Sequence, residues 1–183
     1  MRVITGTARG RKLKTLEGLD IRPTADRVKE AVFSMIQFEV EGSFFLDLFA
    51  GSGQMGIEAL SRGAKTAVFV DESRAAQTVI RENLTSTGLA SNARVAAMDA
   101  AAYLTGTKEP VDIAWLDPPY RKGLLHDILP AVASRMSERG VILCEHEKLT
   151  DLPEIVGHFR LYRQNRYGKT FITVYRRADT DGE

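Results

Sequence analysis

The sequence predicts an open, mostly parallel α/β sheet of the doubly wound kind, closed by an antiparallel hairpin. Three observations carry this. Short, near-continuously apolar runs at Phe44–Phe49, Thr66–Val70, Ala93–Met98, Val111–Leu116 and Gly140–Glu145 read as strands covered on both faces. Helical patterns separate several of them, so the connections are βα crossovers. An aspartate stands near the C-terminal end of four of these runs, at Asp47, Asp71, Asp99 and Asp117. In an open parallel sheet ligands bind at that end.

Residues 1–20 read as a basic β-hairpin, with Val3, Ile4 and Thr5 as its first run and Gly6 and Gly10 in its turn. Pro23 interrupts the chain, and Thr24 is the expected N-cap of a helix with Asp26 in its first turn. Val28, Ala31, Val32, Met35 and Ile36 recur at helical spacing and predict one buried stripe. A second helix follows the Phe44–Phe49 strand and ends at Gly63. A third opens at Ser73 and closes near Gly88. A fourth is expected from about Leu124 to Met136. Phe159–Asn165 and Thr170–Arg176 flank Tyr167-Gly168 and predict the closing hairpin. The main domain is thus expected over 21–178, with 179–183 as a disordered acidic tail.

Composition narrows the class. An apolar content of 44% is ordinary for a soluble core. Cys144 is the single cysteine, which excludes an intramolecular disulfide and suits the cytoplasm. No run has signal-peptide or membrane length. The net charge of +1 says little, but its distribution says more. Two stretches, Arg2–Lys14 and Arg160–Arg177, are basic and hold no acid, an arrangement suited to an anionic polymer or to a plain solvated surface.

Gly51-Ser52-Gly53-Gln54-Met55-Gly56 is a G-x-G-x-x-G loop between strand and helix, and Asp71 follows about twenty residues on. Two ligands fit that pattern. A dinucleotide would set its pyrophosphate on the loop amides and its ribose on Asp71. S-adenosylmethionine would set its methionine carboxylate there instead. Asp47 favours the second, because a carboxylate four residues before Gly51 repels pyrophosphate and accepts from an ammonium. Asp99 is placed to take an adenine amino group. Asp47, Ala50, Gly51, Gly53, Gly56, Asp71, Asp99 and Ala100 are the expected cofactor-binding residues.

Asp117-Pro118-Pro119-Tyr120 indicates the chemistry. Two prolines lock φ, remove two amide donors and leave a rigid turn presenting carbonyls. An exocyclic base amine is a poor nucleophile, since its lone pair is delocalised into the ring. Acceptors on Asp117 and the Pro118 carbonyl can hold its two hydrogens and aim the lone pair, while Tyr120 stacks on the base. The base must be flipped out or unpaired. Asp117, Pro118, Pro119 and Tyr120 are therefore the candidate catalytic residues, with Asp117 expected to act as a hydrogen-bond acceptor. Cys144 lacks the setting of a C5-methylating nucleophile. His126, His146 and His158 have no metal-ligand spacing, and no metal is expected. His146, between Glu145 and Glu147, reads as strand-end surface.

These residues resemble a family. Asp47-Leu48-Phe49-Ala50-Gly51-Ser52-Gly53 with Gly56 and Glu58-Ala59 is similar to the donor-binding motif of the bacterial small-subunit rRNA guanine-N2 methyltransferases, the RsmD type. Arg22-Pro23-Thr24 with Asp26-Arg27-Val28-Lys29-Glu30-Ala31 resembles the family's N-terminal helix signature, and Met1-Arg2-Val3-Ile4 with Gly6 and Gly10-Arg11-Lys12-Leu13 its opening hairpin. Asp117 to Tyr120 matches the catalytic motif, and Tyr167-Gly168 with Thr170 the closing turn. Asp71 departs from the pattern, where the family usually has Glu; either carboxylate can bind a ribose diol.

The resemblance implies a Rossmann-like class I methyltransferase fold with a seven-stranded sheet, S-adenosylmethionine as cofactor and a guanine N2 in 16S rRNA as target, presented by the 30S subunit or an assembly intermediate. A monomer is the default. Arg9, Arg11, Lys12 and Arg22, with Arg166 and Lys169, then become candidate RNA-phosphate contacts. Rival readings are an adenine-N6 methyltransferase on DNA or another RNA, an NAD-dependent oxidoreductase and a non-catalytic RNA-binding assembly factor.

Overall fold

Parallel β-strands packed on both faces order the chain. The computed structural model describes residues 1–16, 24–119, 123–147 and 151–178. Its strands are β1 (Phe44–Leu48), β2 (Thr66–Val70), β3 (Ala93–Ala96), β4 (Val111–Leu116), β5 (Met136–His146), β6 (Ile155–Val156), β7 (Phe159–Tyr167) and β8 (Thr170–Arg177). They form one sheet in the order β3-β2-β1-β4-β5-β8-β7-β6. The first five positions are parallel, and β8, β7 and β6 add antiparallel. The two-residue β6 makes eight strands where seven were expected.

The helices are α1 (Asp26–Met35), α2 (Gln54–Ser61), α3 (Arg74–Thr87), α4 (Ala100–Gly106) and α5 (Leu124–Ala133). Alternation along the strands splits the core. Phe45, Ile113 and Trp115 join α1, α2 and α3 in one layer. Leu46, Leu48, Ala114 and Leu116 join α4 and α5 in the other. The chain leaves β1 towards β2 and β3, then returns to place β4 on its other side. That reversal opens a crevice beyond the strand ends, where ligands bind. Among the described residues no helix is long and apolar enough to cross a membrane.

Several expectations are corrected. The opening segment pairs more briefly than expected: Arg2 and Lys12 form one antiparallel bridge, flanked by Val3 N–H donating to the Arg11 carbonyl at 2.9 Å and Leu13 N–H to the Met1 carbonyl at 3.1 Å. The pairing stops there because the next two amides of the expected first run, Ile4 N–H and Thr5 N–H, donate to Glu58 at 2.8 and 3.0 Å. Val3, Ala8 and Leu13 enter the main core layer. Gly6, at φ +86°, lies so close to α2 that an added Cβ would sit 1.7 Å from the Ser61 carbonyl oxygen.

Helix α1 presents Val28, Val32, Phe33 and Ile36 to the core; Ala31 and Met35 are only half-buried. Thr24 does not cap α1. The N-cap is Ala25, without a side-chain bond, because the Thr24 hydroxyl donates to Glu145 Oε2 at 2.9 Å. β3 stops at Ala96, and α4 was not foreseen: its alanine-rich turns have little apolar periodicity. α5 ends at Ala133, and Met136 instead begins β5 by pairing with Val111. His146 is buried, not surface. It lies on β5 between β4 and β8, its Nε2 is 2.9 Å from Thr173 Oγ1, and its ring stacks on Phe171.

A buried ion cluster locks the opening segment to the sheet layer. Lys29 and Glu58 are both fully buried, with Nζ 3.6 Å from Oε2. Arg62 Nε donates to the other Glu58 oxygen at 2.8 Å, and Lys29 Nζ donates to the Arg2 carbonyl at 2.6 Å. Burial lowers the Lys29 pKa, against the pull of Glu58. Lys29 is not among the apolar positions of the predicted stripe. It joins the buried face of α1 because Glu58 supplies the opposite charge there.

Candidate active site

A cavity of about 760 Å³ opens beyond the C-terminal ends of β1, β2 and β4, within the size range of small-molecule sites. Asp47, Asp71, Asp99 and Asp117 all line it, so the structure brings the four strand-end acids to one site. Ala50, Gly51, Ala100, Pro118 and Pro119 line it too. Gly53 and Gly56 lie beside it but do not form its wall.

Each acid is held differently. Asp47, the penultimate residue of β1, is almost fully buried, and its Oδ2 accepts the Gly56 amide at 2.9 Å. Burial pushes its pKa up to about 8, against that hydrogen bond and with a small further push from Asp71. Asp71 Oδ2 accepts the Gly51 amide at 2.9 Å and Oδ1 the Ser73 amide at 2.9 Å. Asp99 is exposed and caps α4, with Oδ1 accepting the Ala102 amide at 2.9 Å. Asp117 is half-buried at the end of β4. Burial raises its pKa well above the usual carboxylate range, and Glu145 and Asp47 add to the rise.

The glycine loop therefore works otherwise than expected. The Gly51 and Gly56 amides do not await an anion, because Asp71 and Asp47 already occupy them. Gly56 is required for packing: a Cβ there would lie 2.4 Å from Phe69 Cε1. A pyrophosphate would meet carboxylates where it needs donors. A ligand with a sulfonium and an ammonium meets the sign of charge it needs. Phe49, Met98, Leu124 and Ile128 add apolar wall suited to an adenosine face.

Three residues of the site escaped the sequence reading. Glu145 lies on β5, one residue beyond the Leu116–Cys144 register pair, and is buried near Asp117. Its pKa is raised to about 7 by burial, offset by the hydroxyl of Thr24. Thr24 itself lines the cavity. Gln54, at the start of α2, is the third. Alternating charges around His146 hid Glu145, and a glutamine inside a glycine motif carries no signal of its own.

Tyr120 and Arg22 lie outside the described residues, as does the 179–183 tail. Arg9, Arg11, Lys12, Arg166 and Lys169 are all exposed. Arg166 packs over the Phe171 ring at 5.6 Å from its centroid, at the end of β7 level with the C-terminal end of β5. Cys144 is fully buried, and burial pushes its thiol pKa up, which suits an inert core residue.

Comparisons with known proteins agree with this geometry. YlbH of Bacillus subtilis strain 168 is 40% identical over 182 residues, 97% of this chain and 99% of that protein. Ribosomal RNA small subunit methyltransferase D of Escherichia coli strain K12 is 35% identical over 185 residues, 100% of this chain and 92% of that protein. The solved structure of Escherichia coli yhhF superposes with a TM-score of 0.86 at 35% identity, covering 97% of each chain. The family model described as conserved hypothetical protein 95 matches residues 1–176. The chain belongs to that family, the RsmD-type methyltransferases, over nearly its whole length.

Proposed function

We propose that this protein transfers a methyl group from S-adenosylmethionine to the N2 amine of a guanine in small-subunit ribosomal RNA. The observation that carries the donor assignment is the occupation of the Gly51 and Gly56 amides by Asp71 and Asp47. It turns a loop suited to phosphate into an acidic pocket suited to a cationic nucleoside. The RNA assignment is supported by the similarity to ribosomal RNA small subunit methyltransferase D and by the exposed basic residues of both chain ends. The same reading puts the protein in the cytoplasm, acting as a monomer on the 30S subunit or an assembly intermediate.

Bound in the cavity, the donor supplies a methyl group on a positively charged sulfur, with a neutral thioether as leaving group. The chain's own residues then position the amine. Asp47 accepts from the donor's ammonium, and Asp71 from its ribose. Asp117 and the Pro118 carbonyl accept the two N2 hydrogens and turn the lone pair out of conjugation. The Pro118-Pro119 turn holds both acceptors without rearrangement. One N2 proton passes to solvent after the methyl group arrives, and Tyr120 stacks on the flipped base.

The test is transfer of labelled methyl from S-adenosylmethionine to 30S subunits from cells lacking this gene, with naked 16S rRNA and DNA in parallel. Label mapping to N2 of one guanine, and lost in Asp117→Ala, is the expected result. Label on an adenine or on DNA would replace this substrate with the adenine-N6 alternative.

A further inference from the structure

Gln54 begins α2 at the wall of the cavity and is only 6% exposed. Its side-chain Oε1 is buried and, alone among the described residues' buried side-chain nitrogens and oxygens, has no hydrogen-bond partner. A buried carbonyl left unpaired destabilises the fold, and folded proteins carry few of them. Methionine or leucine would fill the same position without that penalty. The orphan therefore points to a partner that is not part of the chain.

The surroundings define that partner. Asp47 lines the same cavity and commits Oδ2 to the Gly56 amide two residues along α2 from Gln54. The Gln54 carbonyl oxygen accepts and does not donate, and so does Asp47 once ionised; both residues line the one cavity. The group that satisfies them has several N–H donors and a positive charge, which describes a primary ammonium.

We infer that the Gln54 carboxamide holds the amino-acid end of the methyl donor, its Oε1 accepting from the donor's ammonium beside Asp47. This rests on the donor reading above. Gln54 is thus a binding residue whose unpaired state in the free protein trades stability for ligand affinity.

Gln54→Met keeps the side-chain volume and removes the amide. Calorimetry with S-adenosylhomocysteine, which has the amino-acid end, is compared with 5′-methylthioadenosine, which lacks it. The variant should bind S-adenosylhomocysteine about tenfold more weakly, or about 1.4 kcal/mol, and 5′-methylthioadenosine unchanged. The ligand-free variant should melt about 2–4 °C higher for each kcal/mol regained from the orphan. Equal weakening of both ligands would reveal a merely structural role and overturn the inference. Unchanged S-adenosylhomocysteine binding would overturn it as well, leaving the donor reading intact. Wild-type protein that binds neither ligand would overturn both.

Discussion

The carboxylate of Asp71 accepts the backbone amide of Gly51 at 2.9 Å, tying the end of β2 to the turn that follows β1. The hydrogen bond joins the two strands beside the crevice and leaves Asp71 lone pairs to accept from a bound ligand. Asp71→Ala should weaken donor binding at least tenfold, about 1.4 kcal/mol. It should also destabilise the free protein by about 1–3 kcal/mol, since the Gly51 and Ser73 amides lose their acceptor. Calorimetry and urea denaturation check the two effects separately.

Donor affinity should depend on pH through Asp47. Its folded pKa of about 8 lies above the usual carboxylate range, so the native state holds a proton that the unfolded chain releases. That contribution to stability is fully present below the unfolded pKa and is lost as pH rises through about 8. A cationic donor favours the ionised form, so binding should tighten about tenfold per pH unit from 6 towards 8 and then level off. Glu145, raised to about 7, titrates in the same window. Asp47→Asn should therefore flatten most of the dependence. Calorimetry at pH 7 in two buffers of different ionisation enthalpy should detect about one proton released per donor bound.

Glu58 serves four partners at once: the Ile4 and Thr5 amides, Lys29 and Arg62. Glu58→Ala should cost about 3–5 kcal/mol, because it strands a buried ammonium and frees the opening segment. Lys29→Met should cost less, since Arg62 and both amides still neutralise the carboxylate. Denaturant midpoints for the two variants would show that order or contradict it.

Gly56→Ala should destabilise by about 1–3 kcal/mol through overpacking against the Phe69 ring. Phe69→Leu in the same chain should recover part of the loss. A double-mutant cycle by chemical denaturation measures this coupling, and strictly additive losses would show that the clash lies elsewhere.

Arg11→Ala with Lys12→Ala should weaken RNA binding and leave donor binding unchanged. The slope of log affinity against log salt should fall by about 0.7–0.9 for each phosphate that the protein no longer neutralises. Filter binding to 30S subunits at several salt concentrations checks it. Equal affinity for the double variant and the wild type would show that neither residue meets the RNA.

Much of this molecule is legible along the chain. β2 and β4 run from the residues expected, and Ser73 caps α3 with its hydroxyl accepting from Ala76. These elements are encoded locally, by apolar runs, capping side chains and a C-terminal glycine. α4 and β6 are not, because one is alanine-rich and the other two residues long. They exist because neighbouring layers cover them.

What the sequence by itself determined is the order of the parallel strands along the chain, the helices with strong apolar periodicity, the four acids at strand ends and the proline-locked turn. Local propensity and short-range spacing suffice for these. Only the tertiary structure decided what each acid touches. It turned Asp47 and Asp71 onto the loop amides, capped α4 with Asp99 and buried Glu145 beside Asp117 through the β4–β5 pairing. It left Gln54 as an acceptor without a donor. The reason is physical: hydrogen bonds and desolvation act between groups far apart in sequence. Their outcome is set by which atoms the sheet brings within about 3 Å of one another.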